Sequence, residues 1–169
     1  SRSLSEWALT KNFPVRWLFI ATSGHEWTDF GADMFHKNQA PAPKDTALWF
    51  HLGASFGARA YQETPTGLVV QDTPNLSRTL MATPDLAPLC EAAFAGQPAI
   101  EKPLAAAVTK ALGEYRLVAE EGYPTSAGFW GANAKFHTPI DGADSTTPEI
   151  MEPIARAIAQ VIEARLAAI

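Results

Sequence analysis

The sequence contains a single cysteine, so no disulfide can form within the chain. That residue, Cys90, lies in the apolar run LAPLCEAAF, which predicts a buried structural thiol rather than a reactive one. No stretch approaches the length of continuous apolar sequence that a membrane-crossing helix needs, and the N-terminus has no secretory apolar region. The chain opens on Ser1, as a processed or trimmed product would, so its compartment is left open. Positive charge is scarce as well. Lys and Arg total 13 against 18 Asp and Glu, for a net charge of -5. Without a basic cluster there is nothing to track a phosphate backbone, which excludes nucleic acid as a partner. The sequence also lacks HExxH, GxGxxG and GxxxxGK[ST], so zincin, dinucleotide and P-loop chemistry have no motif to rest on, and Ser23 before Gly24 is not a GxSxG elbow. There is no internal repeat and no low-complexity segment.

What remains is an ordinary globular mixture, 169 residues with 47% hydrophobic and 18% charged. It is long enough for one domain, residues 1–169, with a hydrophobic core. The charged fraction is thin, which points to some surface being covered by a partner.

Patterning predicts alternating elements. LSEWALTKN (4–12) reads as a short helix capped by Ser3 or Ser5. VRWLFIAT (15–22) is a continuous apolar run with the composition of a strand covered on both faces. A helix over about 27–38 follows, with Trp27, Phe30, Met34 and Phe35 facing inward. ALWFHLGA (47–54) and GLVVQDT (67–73) read as further strands, LSRTLMAT as a short element of open type, and 84–111 as two helices separated by Gly96 and Pro98. EYRLVAEEG (114–122) is ambiguous between strand and loop, and PTSAGFWG (124–131) holds a strand. The clearest element is a final helix over 147–168, with Pro148 in its first turn and Ile150, Ile154, Ile158, Val161, Ile162 and Leu166 as its apolar stripe. The expected fold class is α/β, a three-layer α/β/α arrangement with a mixed central sheet. Three clear strands are few for such a domain, so further strands are expected from elsewhere.

Imidazoles and carboxylates gather at or just after the apolar strands. They are His25 and Glu26, His51, Glu114 with Glu120 and Glu121, and His137 with Asp141 and Asp144. Such side chains suit zinc, and a glutamate beside a bound metal can take a proton from water. Each also has a plainer reading. His25 can cap the helix near Trp27, and Glu26 is favoured there by the helix dipole alone. His51 can be a hydrogen-bonded core histidine, and Asp141 can orient His137 within its loop. Glu120 and Glu121 read as a solvated turn, and His36, late in its helix, is expected to face solvent. The five tryptophans suit core and interface better than a cofactor site.

The order of these segments resembles peptidase family M28, the zinc aminopeptidases. VRWLFIATSGHEWTDFGADMF is similar to the family segment in which a buried strand ends in Gly-Glu-Glu and a helix begins. By that resemblance His25 stands where the family has its general base and Glu26 where it has a zinc ligand. ALWFHLGASFG is similar to the strand ending in Asn-Leu-Asp-Met, with His51 at the Asn position and Gly53 at the Asp that binds zinc. EEGYPTS resembles the family's Gly-Ile-Pro-Ala step. FHTPIDGADSTTPE resembles the loop carrying the last zinc-binding histidine, matched by His137. The early His-x-Asp and the bridging aspartate of the family find no counterpart.

The resemblance implies a hydrolase-like zinc-peptidase scaffold, incomplete at its N-terminus and degenerate at its metal site. It implies at most one zinc, held by Glu26, His137 and His51, with His25 in the catalytic position. The implied role is structural or interaction-based, with the chain inactive on its own. The alternative is a zinc-dependent hydrolase acting on peptide or amide bonds, completed by another chain. The partner expected is that complementing chain, or a second copy joined through a sheet edge.

Overall fold

The computed structural model describes residues 3–107 and 111–169. Its elements run α1 (Leu4–Leu9), α2 (Phe30–Asn38), β1 (Trp49–His51), β2 (Arg59–Thr64), β3 (Gly67–Pro74), β4 (Arg78–Ala82), α3 (Ala87–Ala93), β5 (Leu104–Ala105), α4 (Tyr115–Glu120), β6 (Ser126–Gly131) and α5 (Pro148–Leu166). Four strands form a mixed sheet in the order β1-β6-β4-β5. β1 runs parallel to β6, β4 antiparallel to β6, and β5 parallel to β4. β2 and β3 form a separate antiparallel hairpin. Helices lie on both faces of the sheet, so the mixed-sheet α/β/α layering expected from the sequence is present.

The period of two along each strand builds both layers. Leu80 and Ala82 of β4, with Ala127 and Phe129 of β6, face α3 and α5 and join a core with Leu86, Cys90, Phe94 and Ile100. Met81 faces the other way, towards Tyr115 and Val118 of α4 and Tyr123. Gly128 is required on that second face, because a Cβ there would lie 2.5 Å from the Tyr115 ring. α5 buries the whole expected stripe, with Ala157 added. Each fully buried Leu, Ile or Phe stabilises such a core by about 1.5–3 kcal/mol. Cys90 is fully buried, and burial pushes its thiol up to about 12. No helix among the described residues is long and apolar enough to cross a membrane.

Several expectations need correction. The run 15–22 forms no strand. Among the described residues it makes no ladder hydrogen bonds, because apolar composition alone supplies no edge to pair with. Trp27, Phe30 and Met34 point outward, and Trp27 is 76% exposed; of the expected inward set only Phe35 is partly buried, and Ala32 joins it. Residues 59–64, in the stretch GARAYQET that reads as continuing into a turn, are a strand, since pairing with β3 extends them. Residues 114–122 contain a helix. Tyr115 and Val118, three residues apart, both reach the sheet, while Arg116 and Glu120 pair on the outer side at 2.7 Å. The second helix expected up to residue 111 is replaced at Leu104–Ala105 by a short strand. Part of that expectation, residues 108–110, lies outside the described residues.

Candidate metal centre

Open α/β sheets gather ligands beyond the carboxyl ends of their parallel strands. Here those ends are His51 of β1 and Gly131 of β6. Three segments meet there: the turn before α2, the approach to α4, and the loop after β6.

The turn 24–29 is closed on itself. Trp27 and Phe30 donate their backbone N–H to the Gly24 carbonyl, and Asp29 donates to that of His25. Thr28 and Asp29 adopt positive φ, 55° and 60°. That left-handed geometry is uncommon outside glycine, though short polar side chains such as Asp tolerate it best. It brings the Asp29 carboxylate back beside His25, with Oδ1 2.9 Å from Nδ1. Glu114, just ahead of α4, reaches the same point, its Oε2 3.7 Å from His25 Nδ1. The Thr22 hydroxyl donates to the other oxygen of Glu114 at 3.5 Å, and Arg116 stands 4.0 Å from Asp29 Oδ2.

His25, Asp29 and Glu114 therefore form a cluster able to coordinate a metal ion, with one donor atom from each lying within 4.8 Å of the others. The donor set fits zinc, one imidazole nitrogen and two carboxylate oxygens. Zinc bonds of 2.0–2.2 Å in a tetrahedral shell place neighbouring donors about 3.3 Å apart. The separations from His25, 2.9 and 3.7 Å, bracket that value. Thr22 and Arg116 would orient and balance the carboxylates from behind.

Glu26 and His137 meet beside this cluster. Glu26 Oε1 lies 2.9 Å from His137 Nε2, and both side chains are more than half exposed. His137 has a φ of +61°, and its ring stacks on Phe136 with centroids 3.9 Å apart. His51 belongs to neither group. It lines a cavity of about 280 Å³ together with His25, Glu114, Trp130 and Phe136. Burial, reinforced by His36, pushes its imidazole down to about 4, so it is neutral at neutral pH.

His36 corrects another expectation. Rather than facing solvent, it stacks on Trp49 at 5.0 Å, and its buried Nδ1 has no hydrogen-bond partner among the described residues. Burial holds its pKa below the ordinary value. Asp141 accepts from Ser145 at 2.8 Å, and Asp144 pairs with Lys135 at 2.7 Å, so both order their own loop. Of the three glutamates grouped in the sequence, only Glu114 enters the cluster; Glu120 pairs with Arg116 instead. Asp29 was missed. Its one signal is the spacing from His25, four residues, across a helix start where an Asp ordinarily reads as a cap.

Gly53 is fixed by packing. A Cβ at this position would lie 2.0 Å from the Phe129 carbonyl oxygen, so no side chain fits. No family model, curated protein or solved structure matches this chain.

Proposed function

We propose that the protein is a single-zinc α/β domain, a degenerate relative of peptidase family M28 whose metal serves a structural or interaction role. The carrying observation is the convergence of His25, Asp29 and Glu114. Two features favour loss of turnover. Gly53, at the position where the resemblance implies a zinc-binding aspartate, has no room for a side chain. His25, at the position of the general base, is engaged with Asp29 and Glu114 instead of standing free. The zinc would be held by these three side chains and, when bound, would supply a positive charge that ties the turn before α2 to the start of α4.

A second reading, a zinc-dependent hydrolase acting on peptide or amide bonds, is favoured by the contact between Glu26 and His137. Those residues are two of the three positions at which the resemblance implies zinc ligands, His51 being the third.

Elemental analysis of chain purified without chelator or added metal separates the readings. The single-zinc reading expects about one zinc per chain, lost in Asp29→Asn and Glu114→Ala and kept in Glu26→Ala. It also expects no aminopeptidase turnover. Metal loss in Glu26→Ala and His137→Ala, with turnover in the wild type, would install the hydrolase. A metal-free chain after zinc addition and dialysis would overturn both.

A further inference from the structure

Two of the three side chains in the cluster also line a cavity. His25 and Glu114 form part of the wall of the 280 Å³ space beyond β1, whereas Asp29 does not. Leu52, Trp130 and Phe136 make that wall apolar, and Gly53 contributes bare backbone that no side chain can cover. Among the described residues no Lys, Arg or Asp lines the cavity, and His51 is its one titratable group outside the cluster. Burial leaves that imidazole neutral, with one ring nitrogen to donate and one to accept.

A tetrahedral zinc takes four donors, and the cluster supplies three. A closed site draws the fourth from the protein, an open one from water or a ligand. We propose that the fourth donor comes from a small neutral azole, a flat ring with an sp² nitrogen, bound in this cavity between Trp130 and Phe136 with its N–H on His51. This rests on the single-zinc reading and gives the interaction role its ligand. Charge selects against acids. Two carboxylates cancel the charge of the metal, and Arg116 behind Asp29 is already paired with Glu120 at 2.7 Å. A carboxylate or phosphate would therefore be desolvated with no second cation to meet it. A protonated amine has no lone pair to give. Aromatic walls favour a flat ring. Size limits the ligand to about one ring, since the cavity is just smaller than the roughly 300–1,000 Å³ of ordinary ligand pockets.

Cobalt(II) takes the same donors as zinc and absorbs visible light where zinc is silent. The full chain is loaded with cobalt, dialysed and titrated with imidazole at about pH 8, where the ring is neutral. The expected result is a saturable change in the cobalt bands at one imidazole per cobalt, with the metal retained. Acetate should need at least about tenfold higher concentration. N-acetylhistidinamide, the same ring on a peptide stem, should also bind more weakly than imidazole. Equal or tighter binding would overturn the proposal in favour of a partner's histidine. His51→Phe and Phe136→Ala should each weaken imidazole about tenfold and keep one cobalt. A chain that takes up no cobalt fails the single-zinc reading and this inference with it. One retained cobalt whose bands stay still, answer equally to acetate, or answer unchanged in both variants fails the inference alone; circular dichroism confirms that each variant is folded.

Discussion

Two apolar stretches of this chain have closely similar composition and opposite fates. Leu80-Met81-Ala82 of β4 is fully buried, while Leu18-Phe19-Ile20 is substantially exposed. Their side chains do not account for the difference. β4 has β6 on one edge and β5 on the other, with helices over both faces. The earlier segment lines a cavity with β1 and has no ladder among the described residues. Apolar composition therefore sets only the capacity for burial. Backbone partners on the edges decide whether that capacity is used, because a buried strand with unpaired polar groups is costly.

The largest effect should come from truncating the two stretches in parallel. Leu80→Ala leaves a cavity between β4 and α5 and is expected to cost about 2–5 kcal/mol. Leu18→Ala removes a half-exposed side chain and should stay within about 0.5 kcal/mol. Urea denaturation midpoints at constant slope measure both. Equal losses would break the comparison, since they would mean that Leu18 is buried in solution.

Acid should act next, at β1, which lines a cavity with the earlier segment and is separated from β4 by β6. The folded-state pKa of His51, about 4, lies below the ordinary 6.5, so the unfolded chain takes up this proton first. Stability is then full above pH 6.5 and falls as the pH drops towards 4. The loss approaches about 3 kcal/mol for a shift of this size. His36, shifted in the same direction, adds to it. Thermal unfolding at stepped pH should show this acid limb shrinking in His51→Asn. An unchanged limb would place the imidazole in contact with water.

The sequence announced its regular elements where periodicity was long and locally complete. α5 buried its full predicted stripe because a helix makes its own hydrogen bonds, so pattern alone suffices. The run 15–22 misled because a strand takes its hydrogen bonds from a neighbour that local sequence does not record. α4 escaped notice because a short helix carries little periodic signal, and its burial depends on what Tyr115 and Val118 meet. At the site, His25, Glu26, Glu114 and His137 could be singled out by type and by position after apolar runs. Which of them would meet could not be read from the sequence. Glu114 joins His25 only through the placement of α4 on the sheet, and Asp29 only through a left-handed turn.

The smallest expected effect tests whether the N-terminal region opens as its own unit. α1 begins with a capping box: Ser3 accepts from the Glu6 N–H at 3.2 Å, and Glu6 accepts from the Ser3 N–H at 2.8 Å. Its one fully buried residue is Ala8, although Leu4 and Trp7 pack against the α5 side of the core and Lys11 pairs with Glu163. Ser3→Ala should cost the helix about 1 kcal/mol. If α1 and the segment after it open independently of the sheet, that loss appears as faster amide exchange over residues 4–10, with the global midpoint unmoved. A matching drop in the midpoint would instead show that α1 unfolds together with α5, and that the weakly held region begins only after Phe13, at the segment without partners.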